Sequence, residues 1–218
     1  VAQGVVQILR DQSGLTSRLS PDPIEVVALA SRRNLNLPVF KGIPFIDDVF
    51  ALAEREDIDV LVELIGGTDD AFTLVKAAVA NGKSVVTANK ALLAHNGAAL
   101  FQIARENGVS LLFEAAVCGG IPIIKALREG LSANTINHVY GILNGTCNYI
   151  LSSMRETGKE FQTVLAEAQN LGYAEADPAF DVEGVDAAHK LSILASLAFG
   201  CRVNFDAVHV EGIGQVSP

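Results

Sequence analysis

From residue 24 to residue 113 the chain alternates short apolar runs with helical patterns, and no other feature limits its possible folds so strongly. Apolar runs at 24–30, 60–64, 84–88 and 109–113 are predicted strands. Helical patterns cover 3–11, 46–56, 71–81 and 97–107, the last ended by Gly108. Strands separated by helices of this length imply a parallel sheet with right-handed crossovers. The rhythm breaks at Gly119-Gly120-Ile121-Pro122, where Pro122 suits the first turn of a helix. Beyond it the pattern predicts a helix to about residue 131, a strand over 136–143 and three helical stretches. The domain boundary is expected near Cys118, with residues 1–118 forming an α/β domain and 119–218 an α+β substrate and dimerisation domain.

Composition narrows the functional classes. Half of the 218 residues are hydrophobic, enough for a sizeable core, and the net charge of −9 with no basic stripe excludes a nucleic-acid surface. No apolar run approaches the roughly 20 residues of a membrane span, and no basic start with an apolar centre opens the chain. Cys118, Cys147 and Cys201 are odd in number and widely spaced. That usage fits free thiols in a reducing cytoplasm better than disulfides or zinc.

The chain opens on a helix, with no strand or glycine-rich turn before it. In a doubly wound dinucleotide-binding sheet the first strand lies at the centre and its turn holds the pyrophosphate. The expectation is therefore a Rossmann-like domain whose first strand precedes Val1 in the intact protein, with Val1 and Ala2 as the tail of a G-x-G-x-x-(G/A) turn. The last residues, Glu211 to Pro218, likewise stop without a closing element.

Several segments could line a ligand site, each with a plainer reading beside it. Arg32 and Arg33 follow the strand ending at Ala30, where an acid selects NAD and an arginine accommodates the 2′-phosphate of NADP; a solvated basic turn is the plain alternative. Gly66 and Gly67 sit between a strand and a helix, where backbone can approach a ligand or simply turn. Thr87-Ala88-Asn89-Lys90 ends the next strand and aims Lys90 at the carboxyl edge of the sheet. Glu114, followed by small residues with open carbonyls, could hold a hard cation, although a hinge explains the glycines equally well. Asn144-Gly145-Thr146 forms a tight turn with a helix cap that could also line a pocket.

The densest of these segments runs from Gly172 to Lys190. It places five carboxylates, Glu175, Asp177, Asp181, Glu183 and Asp186, before and within the start of an otherwise apolar helix over 184–199. The i,i+4 spacing puts Asp186 and Lys190 on one face. An ordinary helical ion pair is the plain reading. In a helix hydrophobic on nearly every face, however, desolvating two charges is costly, which favours a ligand-binding centre.

Taken together, Thr87-Ala-Asn-Lys90, Glu114-Ala-Ala-Val-Cys-Gly-Gly-Ile-Pro122, Gly141-Ile-Leu-Asn-Gly-Thr-Cys-Asn-Tyr149 and Gly172-Tyr-Ala-Glu through Lys190 resemble the homoserine dehydrogenase family in order and spacing. The resemblance implies NAD(P)H-dependent reduction of L-aspartate 4-semialdehyde to L-homoserine, on the route to threonine and methionine, and Ser31-Arg32 in place of an acid after the strand favours NADP. It implies Lys190 as proton donor and Gly172, Glu175 and Asp186 as binders of the amino acid, with Tyr173, Asp181 and Thr146 lining the same pocket. Lys90 would touch substrate and nicotinamide, and Glu114 with the carbonyls of Val117, Gly119 and Ile121 would hold a sodium ion. A cytoplasmic homodimer acting on a small molecule is expected. Two other readings remain: a divalent-metal hydrolase or lyase built on the acidic loop, and a non-catalytic amino-acid sensor on the same scaffold. Against the first, the acids lack calcium-loop spacing and no histidine joins them.

Overall fold

The computed structural model describes residues 1–11, 22–31 and 37–218. The chain divides into two compact units, one of residues 1–92 and 98–113, the other of residues 93–97 and 114–218. In chain order the elements begin with α1 (Ala2–Asp11), β1 (Leu29–Ala30), β2 (Phe45–Ile46), α2 (Ala51–Glu54), β3 (Val60–Glu63) and α3 (Asp69–Ala80). They continue with β4 (Ser84–Thr87), α4 (Lys90–Glu106) and β5 (Leu111–Leu112).

All strand pairs in the first unit are parallel, as the alternation predicts. β1 pairs with β2, and β3, β4 and β5 form a second sheet in that order. Helix α3 shows why these residues fold this way. Ala71, Leu74, Val75, Ala78 and Val79 recur at one-face helical spacing and are all buried. Asp69 and Asp70 sit in its first turn, where negative charge complements the helix dipole. The helix stops at Gly82, whose φ of 76° lets the Lys83 N–H reach back to the Ala78 carbonyl. On β3 and β4 the inward positions are Leu61, Glu63, Val85 and Thr87, and the register sets Glu63 opposite Thr87 at the carboxyl end of the sheet.

Three expected elements of this unit shorten. The strand expected over 109–113 pairs only at Leu111–Leu112. The strand expected over 24–30 pairs only at Leu29–Ala30. The helix expected over 46–56 gives way at its start to β2, and only 51–54 is helical. Asp48 accepts the Phe50 N–H at 2.9 Å, an Asx turn that competes with helix in this stretch.

The second unit has helices joined by irregular segments, and no strand among its described residues. A 3-10 turn at Glu114–Ala116 precedes α5 (Ile123–Lys125), which widens into a π turn over Ala126–Gly130. Then come α6 (Gly145–Thr157), α7 (Phe161–Asn170), α8 (Ala179–Val182), α9 (Val185–Phe199) and a 3-10 turn at Phe205–Ala207. Ile150 and Met154 of α6 pack with Phe161, Val164 and Ala168 of α7 and with Ala174. The strand expected over 136–143 does not form; this segment joins no sheet among the described residues, and Tyr140 and Ile142 stand 95% and 75% exposed. Strand-favouring residues such as Ile136, Val139, Tyr140 and Ile142 are present, but a strand exists only where a neighbouring backbone completes its ladder. Among the described residues no helix is long and apolar enough to cross a membrane.

Gly184 fixes where α9 begins. Its φ is 87°, and a Cβ there would lie 3.1 Å from both the Glu211 carbonyl oxygen and Val210 Cγ1. Gly184→Ala is expected to destabilise the intact protein by about 1–3 kcal/mol, measured by urea denaturation. An unchanged midpoint would show that the Val210–Glu211 segment gives way freely.

Candidate active site

The start of α9 holds an ion pair almost removed from water. Lys190 Nζ donates to Asp186 Oδ2 at 2.6 Å, with side-chain exposures of 17% and 6%. The same ammonium donates to the Leu143 carbonyl at 2.7 Å. Between this pair and α8 stands Asn144, which is also buried. Its amide nitrogen donates to Asp181 Oδ1 at 2.7 Å and to Asp186 Oδ2 at 2.9 Å. Its Oδ1 accepts the Cys147 N–H at 2.8 Å and so caps α6. An amide has two N–H groups, one for each carboxylate; an aspartate here would crowd a third negative charge into the cluster.

Around this centre, Thr146 Oγ1 lies 2.8 Å from the Tyr173 carbonyl and 3.1 Å from Asp181 Oδ2, and its single proton serves one of them at a time. The Cys147 thiol donates to the Asp181 carbonyl. Desolvation first, and the charges of Asp181 and Asp186 next, push that thiol up to about 11, so Cys147 is a neutral wall of the site. Behind Lys190, the buried His189 ring packs edge-on against Phe205, His95 and Phe180, with ring centroids 4.6, 5.1 and 5.5 Å away.

The acidic loop does not converge as a whole. Asp181 and Asp186 meet at Asn144, whereas Glu175 and Glu183 are exposed. Glu175 contacts Gln169 through its own carbonyl rather than its carboxylate, and Asp177 accepts the Ala179 N–H at the start of α8. Gly172 turns with φ 77°, and the half-exposed Tyr173 ring leans on Tyr149. Among the described residues no three His, Cys, Asp or Glu side chains gather as a metal site, which removes the basis of the hydrolase reading.

In the first unit, Gly66 and Gly67 take positive φ values of 71° and 72° in succession, with open space where a Cβ would stand. Lys90 begins α4, whose cap is Asn89: its Oδ1 accepts the Leu92 N–H, and its Nδ2 donates to the Gly67 carbonyl at 2.7 Å. Beneath both loops lies Glu63, 1% exposed. Its Oε1 accepts from the N–H groups of Ile65 and Gly66, and its Oε2 accepts the Thr87 hydroxyl at 2.5 Å. Glu63 belongs to no sequence motif singled out above. Its signal was the period-2 alternation that places it on the same inward face as Leu61. Val1 and Ala2 stand at the start of α1, Val1 fully outward, and Arg32 and Arg33 lie outside the described residues.

The Glu114 carboxylate accepts the Ile124 and Lys125 N–H groups, both at 2.9 Å, and caps α5. Each oxygen keeps a further lone pair, and among the described residues no N–H takes the carbonyls of Val117 and Gly119. The Ile121 carbonyl accepts the Ile123 N–H, and Cys118 holds a strained φ of 52° within this loop. Oxygen donors of this kind suit a hard cation better than a zinc-like ion.

Comparison with known proteins agrees over the whole chain. The family model "Homoserine dehydrogenase, NAD binding domain" matches residues 1–114, and the model "Homoserine dehydrogenase" matches residues 122–218. A homoserine dehydrogenase of Pseudomonas aeruginosa is 54% identical over 217 residues, covering 100% of this chain and 50% of the relative. The crystal structure of a homoserine dehydrogenase from Thiobacillus denitrificans superposes with a TM-score of 0.94 at 51% identity, over 100% of this chain and 51% of that one. A hyperthermophilic archaeal homoserine dehydrogenase in complex with NADPH superposes with a TM-score of 0.83 at 27% identity, over 99% of this chain and 71% of that one. The chain spans about half the length of the curated relatives it matches.

Asn144→Ala removes the bridge between two carboxylates together with a helix cap. It is expected to cost about 1–3 kcal/mol in urea denaturation of the intact protein; a loss below 0.5 kcal/mol on the order of a surface change would contradict the bridging role.

Proposed function

The chain belongs to the homoserine dehydrogenase family, and from that premise we propose that the protein catalyses NAD(P)H-dependent reduction of L-aspartate 4-semialdehyde to L-homoserine. The observation that carries this reading is the desolvated Lys190–Asp186 pair anchored on Leu143 and Asn144. When bound, a reduced nicotinamide supplies the hydride for the aldehyde carbon. Negative charge then develops on the aldehyde oxygen and needs a proton or a positive partner already in place. Lys190 has three N–H groups; two are held by Asp186 and Leu143, and the third serves the substrate oxygen. Asp186 keeps the ammonium oriented, and the apolar face of α9 limits water, which strengthens the electrostatics.

We assign Gly172, Tyr173, Glu175, Asp181 and Thr146 to the amino-acid end of the substrate, with the acids receiving its ammonium group. Lys90 is assigned to both substrate and nicotinamide, and Val1, Ala2, Gly66, Gly67, Arg32 and Arg33 to the cofactor. NADP is the preferred cofactor in this reading, supported by the sequence Ser31-Arg32-Arg33 and by the archaeal relative's NADPH complex. Glu114 with the carbonyls of Val117, Gly119 and Ile121 holds sodium, and the boundary between cofactor and substrate domains lies near Cys118. The protein acts as a cytoplasmic homodimer, a state supported by the exposed Tyr140 and Ile142 side chains of the 136–143 segment.

In the intact protein, Lys190→Ala is expected to lower homoserine-dependent NADP reduction by about 10²- to 10⁴-fold while NADPH still binds. Wild-type turnover in that variant would remove Lys190 as the acid, and homoserine binding without any turnover in the unaltered protein would favour a sensor. Sedimentation of the intact protein should give twice the chain mass; a monomer would refute the dimer.

A further inference from the structure

We propose that Glu63 is a positioning residue for the cofactor loop, holding the Gly66–Gly67 turn and the Lys90 turn on a single buried carboxylate. The inference rests on the reading that these two turns face the cofactor. It starts from an anomaly: a carboxylate 1% exposed at the end of a β-strand, with no cation among its hydrogen-bond partners. Burying such a charge is expensive unless donors surround it. Here three do. The Ile65 N–H at 2.9 Å and the Gly66 N–H at 3.2 Å come from the loop after β3, and the Thr87 hydroxyl at 2.5 Å comes from the end of β4.

The chain of contacts closes on itself. Thr87 Oγ1 donates its only proton to Glu63 and accepts the Asn89 N–H at 2.9 Å. Asn89 in turn caps α4 and donates to the Gly67 carbonyl. Two strand ends, a double glycine turn in left-handed geometry and the residue before Lys90 therefore share one network, in which both oxygens of Glu63 and the hydroxyl of Thr87 are hydrogen-bonded. Such a network has one arrangement or none. A pair of glycines with no Cβ contacts would otherwise be free to wander; the carboxylate removes that freedom at the amide of Gly66. Charge-assisted bonds from backbone N–H groups are the strong kind, so the loop is set before any ligand arrives.

The test uses Thr87→Val, which is nearly isosteric but has no hydroxyl, Thr87→Ser, which keeps it, and Glu63→Gln. The readouts, in the intact protein, are the NADPH dissociation constant by fluorescence titration and the melting temperature. Thr87→Val and Glu63→Gln are expected to weaken NADPH binding about ten- to hundredfold, and Thr87→Ser to restore most of the affinity. Full NADPH affinity in Thr87→Val or Glu63→Gln, with only a lower melting temperature, would overturn the proposal and leave the network a packing device. Should either variant fail to fold, amide exchange in the unaltered protein decides: protection of the Ile65 and Gly66 N–H groups supports the clamp, and fast exchange refutes it. Because the titration needs no turnover, an unaltered protein that binds NADPH but does not oxidise homoserine would defeat the activity proposed above and not this role.

Discussion

The removal of the Lys190–Asp186 pair from water is the constraint on which the second unit depends. Two charges at 2.6 Å and largely out of solvent are stable only if the rest of their hydrogen-bonding capacity is met. The cluster meets it by recruiting backbone and side chains from far along the chain. Leu143 lies 47 residues before Lys190, and Asn144 lies 42 residues before Asp186. The turn at 141–147 is thereby drawn onto the start of α9, and α8 is held beside it through Asp181. Asn144 also starts α6, so the helix that carries Ile150 and Met154 into the core begins at the same side chain that bridges the carboxylates. The atoms to which the proposed chemistry is assigned are thus also those that hold the unit together.

The first unit solves the same electrostatic problem by different means. Glu63 has backbone N–H groups and a hydroxyl where Asp186 has an ammonium and an amide. An ammonium brings a proton that can be transferred, which suits a site where charge develops during reaction. Backbone amides bring fixed geometry and no proton acidic enough to transfer in a reaction, which suits a loop that has only to hold its shape. Under the proposed function, the two buried carboxylates mark two kinds of work, chemistry in one unit and placement in the other.

Several residues show how far the sequence could be read. The i,i+4 spacing of Asp186 and Lys190 in an apolar helix was enough to expect their pairing, because helix geometry alone sets that distance. The alternation of apolar runs was enough to expect parallel sheets. Glu63 was missed because a glutamate ending a strand is ordinarily solvated, and only the register with Thr87 reveals its burial. Likewise the bridging amide of Asn144 was invisible behind its role as a turn and cap, since both carboxylates it joins come from distant segments. Glu175 has the composition of a cluster member but sits exposed, because the chain turns at Gly172 and leaves the loop outward.

Local patterning by itself determined the parallel strand and helix alternation of the first unit, the helical face that carries Asp186 and Lys190, and the turn and cap at Asn144, since each depends on contacts within a few residues. Tertiary structure decided which carboxylates are buried, what satisfies them, how tightly Gly184 is enclosed by Val210 and Glu211, and that 136–143 joins no ladder. Those outcomes depend on partners tens of residues away, and the free energy of a buried charge is set by what surrounds it rather than by its own position in the chain.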